Sequence, residues 1–297
     1  MSPRERGQTA EGFRRQLLTR LRNQAIQDGV PPLRLQQRIA FERLLARIPT
    51  DSAWMLKGGF ALQFRYGLLT RPTKDVDLRA ADTASESLAL LRQFVASHDL
   101  PDHFAFQLGP NAQEMPGAPG GSVRVRVAAQ VAGQDFAVFH IDLSSGDAVV
   151  GDSDTLSGSN LLEFAGIPPI AFPVYPVIQH LSEKLHAYTL PRTQENTRVK
   201  DLVDLIIIAA SERIEADRLE ISVRVTFSVR ATHAVPSKLP EPPASWAQSF
   251  SIIASEAHII PTTNLRDGHA FVAHFWNPFL AGNVAHQAWL STNAMWV

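Results

Sequence analysis

No cysteine occurs among the 297 residues. That excludes disulfides and cysteine-ligated zinc, and it allows a reducing compartment. No apolar run approaches the roughly 20 residues of a membrane span. The N-terminal stretch MSPRERGQTAEGF has no apolar signal core, so a cytoplasmic location without membrane contact is the expectation. Net charge is also small, −1 at pH 7, too little to draw the whole chain toward nucleic acid. The imbalance is local. Residues 1–50 carry ten arginines (Arg4, Arg6, Arg14, Arg15, Arg20, Arg22, Arg34, Arg38, Arg43, Arg47) against Glu5, Glu11, Asp28 and Glu42, a surplus of +6. That is enough to attract a polyanion, and equally consistent with solvated helix faces. Charged residues make up 19% and hydrophobic ones 45%, a globular composition sufficient for one large domain or two smaller ones.

The most informative stretch is 55–80, MLKGGFALQFRYGLLTRPTKDVDLRA. Asp75-Val76-Asp77-Leu78 alternates acid with apolar, as on a half-buried strand, so Asp75 and Asp77 face one space together. Two carboxylates held that close repel unless a cation sits between them. Mg²⁺, which prefers carboxylates together with substrate phosphates, is the obvious one. Upstream, Gly58 and Gly59 open a helix with free backbone N–H groups and no side chain in the way, which suits a phosphate. Phe60, Leu62, Phe64 and Leu68 are spaced for the apolar face of that helix.

A Gly-Gly pair followed at a distance by Asp-x-Asp resembles the signature of the nucleotidyltransferase superfamily. With Lys57 and Arg71-x-Thr73-Lys74 around it, the stretch resembles the AbiEii/AbiGii toxin family, the toxins of bacterial toxin–antitoxin pairs. A second block carries the same resemblance. Glu183-Lys184-Leu185-His186-Ala187, a spacer, then RVKDLVDL at 198–205 resembles the family's helical lysine followed by Arg-x-Lys-Asp-x-x-Asp. Lys184 matches the lysine and Asp204 the final acid. Many superfamily members have serine where this chain has Gly59, which removes a hydroxyl contact but keeps the backbone cradle. The superfamily also carries a third carboxylate on a strand beside Asp-x-Asp. Asp142, an acid in the apolar strand FAVFHIDL, is the matching position; alone it would be costly there unless paired or metal-bound.

Along the chain, helices are expected over 9–28, ended by Gly29, and from Pro31-Pro32 to about Ile48. Arg14, Arg15, Arg22, Arg34 and Arg38 fall off their apolar stripes and are expected to be exposed. Asp82 or Thr83 caps a helix to about His98. Strands are expected near 103–108, at 122–131 and at 136–143, the last two joined as a hairpin, giving a mixed sheet. Residues 109–121, rich in glycine and proline with Asn111, read as an exposed loop. The stretch 144–160 reads as a surface loop, and 164–176, with Pro168, Pro169, Pro173 and Pro176, as a hinge between lobes. Helices follow at 177–189 and 198–211. Residues 216–230 suit a helix or a strand, and helices near 245–258 and 268–280 complete the chain. Five histidines after residue 230 show no metal-ligand spacing.

The fold expectation is α/β: a nucleotidyltransferase lobe with a mixed sheet over 1–170 and a mainly helical lobe over 171–297, with the nucleotide in a cleft between them. The resemblance implies a Mg²⁺-dependent toxin that transfers a nucleotide from an NTP to RNA, chiefly the 3′ end of tRNA, with a cognate antitoxin as partner. Asp75 and Asp77 would bind Mg²⁺. Asp142 would complete a second metal site or act as base. Lys57, Gly58 and Gly59 would hold phosphates, and Arg71, Lys74 and Lys184 would offset charge on pyrophosphate, with Asp204 orienting Lys184. Thr73 stands where some family toxins have a phosphorylated hydroxyl; a phosphate beside Asp75 would inhibit. The alternatives are nucleotidylation of a protein or small molecule, and a catalytically inactive module that binds an antitoxin or RNA.

Overall fold

The computed structural model describes residues 3, 8–50, 53–115 and 117–297. Arg4, Glu5 and Arg6 of the basic stretch, and Pro116 of the glycine-rich one, lie outside the described residues. The chain divides into two compact units. The first comprises Met1–Phe64, Thr73–Gly146 and Asp154–Val174; the second comprises Arg65–Pro72, Asp147–Ser153 and Tyr175–Val297.

In the first unit, α1 (Ala10–Asp28) starts where the Thr9 hydroxyl accepts from the Gly12 N–H and stops at Gly29, whose φ of 64° only glycine adopts freely. Then follow α2 (Pro32–Leu45), β1 (Met55–Lys57), α3 (Gly58–Tyr66), β2 (Asp75–Arg79), α4 (Ala84–Ser97), β3 (Phe104–Met115), β4 (Ser122–Val131), β5 (Gln134–Ser144), β6 (Asp154–Ser157) and β7 (Ala171–Val174). Thr83 and Glu86 form a reciprocal capping box at the start of α4. The strands form one seven-stranded sheet in the order β3-β4-β5-β2-β1-β7-β6. It is mixed, as expected: β2–β5 and β1–β7 are parallel and the other pairs antiparallel. One sheet face is apolar because every second residue is: Leu56, Val76, Leu78, Val125, Ile141 and Leu143 have no exposure. Phe41 of α2 packs edge-on against Phe60 of α3 and Phe139 of β5 at 4.8 and 4.7 Å, so helices cover that face. The opposite face is left to the alternate, polar positions.

Three expectations are overturned here. The 109–121 loop is in part strand, because β3 runs on to Met115 with a register shift between Leu108 and Ala112. β3 ends the strand order, and an edge strand with a bulge tolerates Pro110 and Gly109. The loop at 144–160 contains β6, which pairs with β7 inside the proline-rich stretch 164–176. β7 meets β1 at a single register pair, Leu56 with Val174, so Pro173 costs it little ladder. Lastly, Arg34 and Arg38 are buried, at 8% exposure each. α2 is enclosed on nearly every side, and its arginines are held internally. Arg38 bonds Glu42 at 3.0 Å, and Arg43 and Arg47 both bond the buried Asp102, at 2.7 and 2.9 Å.

The second unit contains α5 (Val177–Thr189), α6 (Val199–Ser211), β8 (Ile214–Glu215), α7 (Ala216–Arg230), α8 (Ala247–Ser255), α9 (Leu265–Leu280), β9 (Ala288–Leu290) and β10 (Met295–Trp296). Residues 202–209 of α6 are all buried, as a helix apolar on all sides must be, and α5, α8 and α9 pack around it. Residues 216–230 are helical, with Leu219, Val223 and Phe227 inward. A small sheet, β10-β9-β8, closes this unit. Trp289 on β9 is fully buried and donates to the Ala209 carbonyl at 2.7 Å. Among the described residues no helix is long and apolar enough to cross a membrane.

Candidate active site

On the polar face of the first unit's sheet, register decides what meets what. β2 and β5 place Asp77 opposite Asp142 and Asp75 opposite His140. β1 places Lys57 opposite Asp77. β4 places Arg124 opposite Asp142 and Arg126 opposite His140. Residues directly opposite share a face. One row therefore reads Arg124, Asp142, Asp77, Lys57 across four strands, and the next reads Arg126, His140, Asp75. The two carboxylates expected from the Asp-x-Asp spacing and the third on β5 stand together.

Arg124 grips Asp142 with two hydrogen bonds, from Nε to Oδ1 at 2.7 Å and from Nη2 to Oδ2 at 2.6 Å. The same Nη2 is 3.6 Å from Asp75 Oδ2, and His140 Nδ1 is 3.5 Å from Asp75 Oδ1. The bonds to Asp142 push the guanidinium pKa well up against the opposing effect of burial; the charges of Asp142, Asp75 and Asp77 add to the rise. Asp75 and Asp142 keep 33% and 20% of their side chains exposed, so a ligand from solvent can reach them.

Gly58 is required at the start of α3 twice over. Its φ is +67°, and a Cβ there would overlap the Asp77 carboxylate. Gly59 behind it is buried, Lys74 is exposed, and the Thr73 hydroxyl donates to the Asp75 carbonyl at 3.3 Å. Gly58→Ala is expected to cost about 1–2 kcal/mol for a side chain at positive φ and to push the Asp77 carboxylate out of the row. Thermal unfolding and a transfer assay measure the two effects. A variant as stable and active as the wild type would show that the turn relaxes freely.

A second charged group lies within the second unit. Asp204 has no exposure and accepts two bonds from Arg71, at 2.8 and 2.7 Å, and one from Lys184 Nζ at 2.5 Å. Asp201, one helical turn away, is 3.4 Å from the same Nζ. Burial would raise the Asp204 pKa, but Arg71 and Lys184 outweigh it and hold it below the usual carboxylate range. Burial likewise opposes the charge on Lys184, and Asp204 with Asp201 reverses that, so the ammonium is stabilised. Asp204 thus fixes two buried cations, Lys184 as expected and Arg71 as well.

The carboxylate row suits a hard divalent cation by its donors: Asp75, Asp77 and Asp142 offer only oxygen, and the absent Cβ of Gly58 leaves room for the Asp77 carboxylate. Among the described residues, no three such side chains are already gathered tightly enough to hold an ion. Arg124 occupies both oxygens of Asp142 on one side of the group.

The family model described as nucleotidyl transferase AbiEii toxin, type IV TA system, matches residues 39–261, three quarters of the chain. The chain belongs to the AbiEii toxin family. No curated protein matches it. Among solved structures, it is similar to MenT4, a nucleotidyltransferase toxin from Mycobacterium tuberculosis H37Rv, with 17% identity, a TM-score of 0.54, and coverage of 84% of this chain and 82% of that one. That likeness bears on the fold: the AbiEii chain has the architecture of a nucleotidyltransferase toxin.

Sequence reading of this AbiEii protein missed Arg124. Counting back from the two-residue turn at Ala132-Gly133 pairs Arg124 with Ile141, on the buried face. The register shifts by one residue between Ala129 and Gln130, and that bulge swings Arg124 to Asp142. The signal was available: Val123 and Val125 must share a face with Ile141 and Leu143, which only a shifted register allows.

Proposed function

We propose that this toxin transfers a nucleotide from an NTP to the 3′ end of tRNA and thereby blocks translation, with Mg²⁺ as cofactor and a cognate antitoxin as partner. The observation that carries the reading is the row Lys57, Asp77, Asp142 with Asp75 beside it, built on the glycine-opened helix α3. Asp75 and Asp77 would hold the metal. When bound, Mg²⁺ supplies charge neutralisation of the triphosphate and Lewis acidity toward the attacked phosphate. Lys57 and the backbone N–H groups at Gly58 and Gly59 cradle phosphate oxygens. Asp142 accepts the proton of the attacking hydroxyl. Lys74 would counter the charge of departing pyrophosphate, and the family resemblance is what assigns Arg71 and Lys184, held by Asp204, the same task. A phosphate on Thr73, anchored at the start of β2, would repel the triphosphate and switch the toxin off.

The test is incubation of purified protein and Mg²⁺ with each labelled NTP and total RNA. Label in tRNA-sized RNA supports the reading. Label on protein alone, with no competition by added tRNA, would replace RNA with a protein acceptor.

For RNA, α1 is the surface that supports the proposal. Four arginines on it face only Glu11 and Asp28. Arg15, Arg20 and Arg22 are exposed and Arg14 is half-buried. Arg20 lies over the Phe164 ring at 4.6 Å, so it is the one to leave in place. Exchanging Arg14, Arg15 and Arg22 for glutamine is expected to weaken RNA binding and lower its log–log salt slope by about 2, at about 0.7 per lost single-strand phosphate contact. The KM for NTP should not change. An unchanged salt slope would remove α1 from the RNA surface.

A further inference from the structure

We infer that Arg124 is the resident counter-cation of the carboxylate group, and that it makes divalent-metal binding depend on bound nucleotide by holding Asp142 until a metal–triphosphate complex arrives. The inference rests on the proposed metal role of Asp75 and Asp77 and concerns a residue outside that role.

Three observations support it. First, the guanidinium makes the strongest geometry available to it: a two-bond fork on Asp142, the same nitrogen also within 3.6 Å of Asp75. Both Asp142 oxygens are therefore engaged by a cation of the chain itself. Second, the contact is partly open, not buried: 31% of the Arg124 side chain and 20% of the Asp142 side chain are exposed. An ion pair that open to solvent is screened by water, so an incoming ligand with its own charge can exchange it. Third, Arg124 is in register with both acids of its row: Asp142 faces it, and Asp77 is one strand further. Its charge therefore bears on any cation bound there.

The consequence follows from charge alone. A bare divalent ion held by Asp75 and Asp77 sits beside the guanidinium, which is 3.6 Å from Asp75, and brings nothing that draws Arg124 off Asp142. The metal–triphosphate complex brings phosphate oxygens, which give the released guanidinium planar, bidentate acceptors in place of the carboxylate. Arg124 thus disfavours the metal alone and tolerates the metal with nucleotide, which is a coupling free energy between two ligands. Asp142 stays neutralised in the empty site and becomes free when the reacting hydroxyl needs a base.

The experiment is a titration of the full-length protein with Mn²⁺, read by electron paramagnetic resonance, with and without a non-hydrolysable NTP analogue. In Arg124→Gln, Mn²⁺ alone is expected to bind about tenfold or more tightly than to the wild type, within the usual range of such couplings. In the wild type the analogue should tighten Mn²⁺ about tenfold, and in Arg124→Gln much less. Arg124→Lys keeps the charge and loses the fork, and should fall between. Unfolding temperatures within a few degrees of the wild type establish that each variant is folded, and Arg124→Lys carries the test if the glutamine variant does not fold. Equal Mn²⁺ affinity in the wild type and both variants, abolished by Asp75→Ala, would overturn the inference and leave Arg124 as a tie between β4 and β5. Mn²⁺ binding absent from all of them, or unaffected by Asp75→Ala, would overturn the metal reading itself.

Discussion

Asp75→Ala is expected to abolish nucleotide transfer, a fall of at least about a thousandfold, and to leave the unfolding temperature nearly unchanged. The two halves of that expectation come from the same geometry. Asp75 shares a face with Asp77 and Asp142, so its charge is available to a cation and not to the core. Its side chain is one-third exposed, with Arg124 at 3.6 Å and His140 at 3.5 Å, contacts worth about 0–1 kcal/mol at such exposure. Removing it also relieves repulsion among three carboxylates. Catalysis loses far more, because charge placed where a transferring phosphoryl group develops its own is commonly the largest single contribution, about 10²–10³ for one donor and more for a metal ligand. Asp77→Ala should behave alike in transfer. A transfer rate within about tenfold of wild type, measured with labelled NTP on protein of matched stability, would move the chemistry off this face.

How much of this was legible depended on whether the deciding signal was local. Gly29 and Thr83 are caps, and caps mark helix ends wherever they occur, so the end of α1 and the start of α4 could be bounded from sequence. The period-2 alternation of Asp75–Leu78 and Ser122–Val131 fixed both strands and the face the acids share. The misreadings have non-local causes. β3 crosses Gly109 and Pro110 because it is an edge strand, a position that no window of sequence reveals. β7 lies among prolines because β1 and β6 recruit it. β9 and β10 are held by Trp289 and Trp296, whose indoles reach carbonyls on distant helices, Ala209 and Phe275. Arg34 and Arg38 of α2 were misread for the same reason: Arg38 bonds Glu42, whose carboxylate is also held by Ser159, 117 residues further along the chain. The acids of the candidate site were legible as a motif, and their cation was not, because a bulge sets the Arg124 register.

The second large effect is expected at Asp204, and it is one of stability. Asp204→Ala would leave Arg71 and Lys184, exposed by only 7% and 8%, as two buried cations without the carboxylate that accepts three bonds from them. Removing one partner of a buried ion pair costs about 3–5 kcal/mol, so this variant should lose much of its folding stability. Lys184→Ala should cost less, because Asp204 keeps both bonds from Arg71. Yet in folded protein it should lose transfer, if its charge serves the triphosphate. The pH dependence separates the parts. The depressed pKa of Asp204 means its contribution is present above the ordinary carboxylate range and is lost as pH falls through the folded-state value. The raised pKa of Lys184 means its contribution is present below the ordinary lysine range and is lost as pH rises through its folded-state value. Thermal unfolding across acid pH should therefore show the wild type converging on Asp204→Ala at the low end, while the two differ most near neutrality. Replacing Arg71, Lys184 and Asp204 together with apolar residues of similar size should recover most of the lost stability and none of the activity. A triple variant that regains transfer would make the charged group purely structural.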